Sequence, residues 1–79
     1  MEADDVVMYC RSWCGDCARA RAWLDMNRVA YKEIDIERVP GAADECRALA
    51  GKIVTPTFRI KGETVVDFDE SRLRELLLG

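Results

Sequence analysis

Two cysteines separated by two residues, Cys14-Gly15-Asp16-Cys17, stand where an apolar run gives way to a helical pattern. That junction constrains the fold more than any other feature of the chain. Val6-Val7-Met8-Tyr9-Cys10 is short, uncharged and rich in β-branched residues, the pattern of a buried strand. Residues 11–14 break it. From Gly15 to about Asn27 the period becomes helical, with Cys17, Ala20, Arg21, Leu24 and Asn27 on one face at spacings of three and four. Asn27 suits a left-handed stop. The strand thus leads through the first cysteine directly into a helix N-terminus.

The remaining chain alternates in the same way. Tyr31 to Ile36 reads as a second strand, with Lys32, Ile34 and Ile36 on one side and Tyr31, Glu33 and Asp35 on the other. Pro40 suits the first turn of a second helix and Gly51 its end, with Ala42, Cys46, Leu49 and Ala50 sharing a face. Thr57–Ile60 and Thr64–Val66 form a hairpin around Lys61-Gly62-Glu63. Asp69 or Ser71 caps a last helix running through Leu73, Leu76 and Leu77. The predicted order is βαβαββα. A right-handed βαβ crossover makes the first two strands parallel, and the hairpin adds two antiparallel ones. The expected fold class is α/β with a thioredoxin-like arrangement, a mixed four-stranded sheet with helices on both faces, in one domain spanning residues 1–79.

Composition narrows the function. With no histidine among 79 residues, Ser-His-Asp, Cys-His and His-ligated metal chemistry are excluded. Twelve basic against fifteen acidic residues leave a net charge of −3, so no basic face for nucleic acid is expected. No apolar run approaches the roughly 18 residues of a membrane span. The acidic start Met1-Glu2-Ala3-Asp4-Asp5 lacks a secretory pattern, and a reducing, cytoplasmic setting is the expectation.

In that setting a C-x-x-C after a strand reads as a redox dithiol. Unpaired N–H groups and the helix dipole favour an anion at the first cysteine, and the thiolate is the attacking species. Cys14 is therefore the candidate nucleophile and Cys17, one turn inward, the resolving thiol. Gly15 is expected to let the backbone pass closely at the turn. Arg11 stabilises a Cys14 thiolate, whereas Asp16 opposes it. Trp13 supplies an aromatic flank that covers the disulfide or contacts a bound peptide. The competing reading gathers Cys10, Cys14, Cys17 and Cys46 into a four-thiolate zinc or iron site. The usual zinc pattern pairs two C-x-x-C units, and this chain has one. Cys10 and Cys46 occupy core-like positions, where a free cysteine packs as a small hydrophobe. Arg19, Asp25, Arg28, Asp44, Glu45 and Arg47 read as solvated surface.

Thr55-Pro56 precedes a strand about forty residues after the dithiol. In a cis form, Thr55 turns its backbone N–H and C=O toward an extended substrate, and a trans proline opening an edge strand is the plainer alternative.

With these stretches in hand, the sequence resembles the glutaredoxin family over nearly its whole length. Tyr9 to Cys17 is similar to the family's strand, basic residue and active-site pair. Ala20, Arg21 and Leu24 resemble the following helix, Tyr31 to Glu37 the second strand, and Thr55-Pro56 the cis-proline loop. The resemblance implies thiol–disulfide oxidoreduction, with glutathione as electron source or mixed-disulfide partner. It implies that Arg11 faces the glycine carboxylate of glutathione, that Thr55 pairs with the cysteinyl backbone, and that Asp69 meets the γ-glutamyl amine. The site is Cys-Gly-Asp-Cys rather than the common Cys-Pro-Tyr-Cys, and Val66-Asp67 replaces a Gly-Gly that lets glutathione approach closely. In this the chain is closer to small bacterial glutaredoxin-like proteins that draw electrons from mycothiol or from thioredoxin reductase. Disulfide-containing proteins and a low-molecular-weight thiol are the implied partners. A monomer is expected, with no tightly bound cofactor and no metal. The alternative implied by the family is an iron–sulfur cluster or metal-binding protein.

Overall fold

The computed structural model describes residues 5–79, so the acidic start of the chain lies, except for Asp5, outside the described residues. Its elements are β1 (Val6–Cys10), α1 (Gly15–Met26), β2 (Lys32–Asp35), α2 (Ala42–Ala50), β3 (Thr57–Ile60), β4 (Glu63–Val66) and α3 (Glu70–Leu78). The order βαβαββα is the one expected. The sheet runs β2-β1-β3-β4, with β1 parallel to β2 and antiparallel to β3.

Strand β1 is central and buried on both faces, which is why its five residues read as an unbroken apolar run. Alternation sorts them. Val6, Met8 and Cys10 face α1 and α3, packing with Cys17, Ala20, Trp23, Leu24, Phe58 and Leu73. Val7 and Tyr9 face α2, packing with Ile36, Ala42 and Cys46. Helices thus cover both faces. The Tyr9 hydroxyl escapes the apolar layer by donating to Glu45 at 2.9 Å. Truncating Phe58, fully buried where two strands and a helix meet, is expected to cost about 3–5 kcal/mol.

Several boundaries differ from the expected ones, each for a local reason. Asn27 is not left-handed: its φ is −93°, and its side-chain amide donates to the Trp23 carbonyl at 2.9 Å. The left-handed residue is Arg28, φ 57°. The Arg28 N–H reaches Asp25 O at 3.1 Å and the Val29 N–H reaches Leu24 O at 2.9 Å, the paired bonds of a Schellman end. On α1 the buried face is Cys17, Ala20, Trp23 and Leu24. Arg21 leaves it to clamp Glu33 of β2 at 2.7 and 2.9 Å. Pro40 lies in the turn ahead of α2, which starts at Ala42 after Gly41. Strand β2 is shorter than expected, leaving Tyr31 and Ile36 as its flanks. Glu63 belongs to β4, because Lys61 and Gly62, both with positive φ, complete a two-residue hairpin turn. Asp69, rather than Ser71, caps α3 by accepting the Arg72 N–H at 3.1 Å. Among the described residues no helix is long and apolar enough to cross a membrane.

Candidate active site

The carboxyl end of the central strand is where an open α/β sheet leaves a crevice, and here β1 delivers the dithiol loop to it. Cys14 is the N-cap of α1 with an extended backbone, φ −88° and ψ 116°. A capping side chain accepts from the first-turn N–H groups, and the Cys14 sulfur does so from the Cys17 N–H at 3.4 Å. The Cys14 thiol in turn donates to the Thr55 carbonyl oxygen at 3.4 Å. The Thr55-Pro56 bond is cis, in the loop that brings the Thr55 carbonyl to the sulfur.

The two thiols of the pair differ sharply. Cys14 is half-buried, whereas Cys17 is fully buried in the α1 layer. Burial pushes the Cys14 thiol up, but hydrogen bonding from the Thr55 and Cys17 side chains and from the Cys17 backbone N–H, together with the positive charge of Arg11, outweighs it and brings the thiol below its ordinary range. For Cys17, burial dominates and is reinforced by its neighbour Cys14, and the thiol is pushed up to about 11. Four cysteines are free thiols. Cys10 is buried beside Arg21, whose guanidinium donates to its sulfur at 3.5 Å, and burial drives its thiol strongly up. Cys46 is buried on the other side of the sheet and donates to the Val54 carbonyl at 3.3 Å. The sheet therefore separates Cys46 from Cys10 and Cys17, and the four sulfurs do not form one ligand set. Among the described residues no three Cys, Asp or Glu side chains group as a metal site.

The other candidates surround Cys14 unequally. Arg11 is half-buried, and its guanidinium carbon lies 5.0 Å from the Trp13 ring centroid. Trp13 is 66% exposed and donates its indole N–H to Glu37 at 3.1 Å. Pro56 is buried under the loop. Asp69 lines a cavity of about 500 Å³ between the first turn of α1 (Asp16, Arg19) and the turn into α3 (residues 67–71). Asp16 pairs with Arg19 and Asp69 with the N-terminus of its own helix, so neither carboxylate stands bare in that cavity. Asp67 adopts φ 68°, the left-handed conformation that glycine takes most readily and that Asp tolerates through its short side chain, here bonded to the Phe68 N–H at 2.8 Å. At Gly15 an added Cβ would meet open space, so the close approach expected there is absent. Glu37 escaped the sequence reading. Its contact with Trp13 joins residues 24 apart in the chain, a pairing that no periodicity signals.

The chain is similar to known proteins in sequence and in fold. Residues 6–65 match the family described as Glutaredoxin. A protein of Mycobacterium tuberculosis strain H37Rv that carries a provisional glutaredoxin name is 46% identical over 39 residues, which are 49% of this chain and 46% of that protein. The match thus spans about half the length of that relative. Among solved structures, the thioredoxin-like protein BC3987 is 30% identical over 91% of this chain and 99% of its own, with a TM-score of 0.84. A glutaredoxin of Archaeoglobus fulgidus is 25% identical over 95% of this chain and 87% of its own, with a TM-score of 0.85.

Proposed function

The chain belongs to the glutaredoxin family and is a glutaredoxin-like redox protein of thioredoxin-like fold, and from that premise we propose that it is a dithiol–disulfide oxidoreductase acting through Cys14 and Cys17. The observation that carries the proposal is the contrast within the pair. One sulfur is accessible and fed by a helix N–H, and the other is buried one turn beneath.

The Cys14 thiolate attacks one sulfur of a substrate disulfide. A Cys14–substrate S–S bond forms, the substrate S–S bond breaks, and the departing sulfur leaves as a thiolate that takes a proton. Cys17 then gives up its proton and attacks the Cys14 sulfur. The Cys14–Cys17 disulfide closes and the second substrate sulfur is released as a thiol. Two electrons pass to the substrate. The high affinity of Cys17 for its proton suits a thiol that must wait, and transfer of that proton to the leaving sulfur suits the second step. Once Cys14 is ionised it no longer donates to Thr55, which leaves the Thr55 carbonyl to accept an N–H from the extended backbone of a substrate. Pro56 fixes that loop, Arg11 and Trp13 flank the sulfur, and Asp69 lines the cavity toward a low-molecular-weight thiol. An external thiol or reductase restores the dithiol, with glutathione, mycothiol and thioredoxin reductase as the candidate electron sources in a cytoplasmic setting.

A coupled NADPH assay tests this. It offers glutathione with its reductase, mycothiol with its reductase, and thioredoxin reductase, each with a disulfide substrate. Turnover from at least one source is expected, and Cys14→Ser is expected to remove it. Turnover that survives Cys14→Ser contradicts the assignment.

A further inference from the structure

Trp13 is a large ring that is 66% exposed and sits immediately before the nucleophile, yet it is not left to swing. Its indole N–H is bonded to a Glu37 carboxylate oxygen at 3.1 Å. Glu37 is itself anchored, since its backbone N–H donates to Asp35 Oδ1 at 2.9 Å at the end of β2. On the other side of Trp13 lies Arg11, its guanidinium carbon 5.0 Å from the ring centroid. The Nε of Arg11 is buried and has no hydrogen-bond partner among the described residues, and the guanidinium lies over the ring face while its charge also acts on Cys14. A cation over a ring face and a carboxylate at the indole N–H act in the same sense. The first draws on the negative face of the ring, and the second on its positive edge. The ring is thus held from two directions by groups on two different loops.

We propose that Glu37 is a positioning residue: it holds the Trp13 indole in one orientation, so that the exposed ring presents a preset face to a polypeptide carrying the disulfide that Cys14 attacks. The proposal rests on the oxidoreductase reading. A small disulfide reaching the half-buried Cys14 sulfur covers little of so exposed a ring, whereas a polypeptide chain passing the Thr55 loop has flanking residues to lay on it. Fixing the ring in advance removes the side-chain entropy that a free tryptophan loses on binding. Glu37 therefore acts on the binding of polypeptide substrates and leaves the sulfur chemistry alone.

The test uses Glu37→Ala and Glu37→Gln, the second of which keeps an oxygen acceptor without the charge. The first readout is the Trp13 indole Hε1 resonance and its exchange with water, with Trp23 Hε1 as the internal fold control. Glu37→Ala is expected to shift the Trp13 signal and speed its exchange, with Glu37→Gln close to wild type. The second is steady-state reduction of insulin and of bis(2-hydroxyethyl) disulfide. Glu37→Ala is expected to raise KM for insulin about fivefold, the scale of one lost hydrogen bond, with kcat unchanged and the small disulfide unaffected. In a Trp13→Phe background the same substitution is expected to change nothing further. An unmoved Trp13 Hε1, an unchanged insulin KM, a Glu37→Gln as impaired as Glu37→Ala, or an effect that persists without the indole each overturns the proposal. If the wild-type protein reduces neither disulfide, the oxidoreductase reading fails, while the Hε1 result still decides whether Glu37 holds the ring.

Discussion

Cys10 and Cys14 stand four residues apart, at the end of the same strand and the start of the next helix, yet their surroundings are opposed. Cys14 takes a helix-end N–H and the field of Arg11, and its thiol is drawn down. Cys10 is sealed among Met8, Cys17 and Leu24, and although Arg21 touches its sulfur, Glu33 neutralises that cation and burial drives the thiol up. Cys46, in the opposite layer, is equally enclosed. A nearby arginine is therefore not sufficient to make a reactive cysteine. What distinguishes Cys14 is the combination of a backbone donor, a neighbouring cation that no carboxylate neutralises among the described residues, and a path to solvent.

Substitution of each cysteine breaks or sharpens this contrast, and the largest effect belongs to the pair. Cys17→Ser is expected to stop dithiol turnover and to leave a mixed disulfide on Cys14, visible as an added mass of the substrate thiol that reductant removes. Cys10→Ala and Cys46→Ala are expected to retain turnover. Loss of activity in either, with the fold intact, would remove the distinction between the regions.

A smaller effect is expected in the pH dependence of stability of the reduced protein. Cys17 is an acid whose folded-state value is raised, from 9.0 to about 11, chiefly by burial. The unfolded chain therefore ionises first. Its contribution to stability is complete below about 9 and is lost as the pH rises toward 11. Denaturant melts of wild type and Cys17→Ala across that window check the sign, with the wild type expected to lose stability more steeply. Smallest is Cys46→Ala, which removes one buried sulfur and is expected to cost about 1 kcal/mol with no change in thiol reactivity.

Much of this layout was legible in the chain. The apolar run Val6–Cys10 and the three- and four-residue spacing after Gly15 announce strand and helix because burial imposes those periods. The dithiol's position at a helix start follows from the same junction, and the Thr55-Pro56 bond takes the cis form of the two the sequence left open, whereas the contact of the Thr55 carbonyl with Cys14, 41 residues away, was not legible. Other features depend on contacts distant in sequence. Trp23 replaces Arg21 in the core because Glu33, twelve residues away from Arg21, offers that cation a partner outside it. The stop of α1 falls on Arg28 because Asn27 spends its side chain on Trp23. Glu37 meets Trp13 only once β2 lies beside β1.

The central claim is that one thiol of four is reachable and ionises more readily than an ordinary thiol. Alkylating the reduced protein with substoichiometric iodoacetamide over a pH series, followed by peptide mass spectrometry, measures it residue by residue. The account predicts that Cys14 is modified first and that its rate rises at a pH below that of an ordinary thiol, with Cys10, Cys17 and Cys46 unmodified until the protein unfolds. Equal labelling of Cys14 and Cys10, or a Cys14 rate that rises only at alkaline pH, would contradict it.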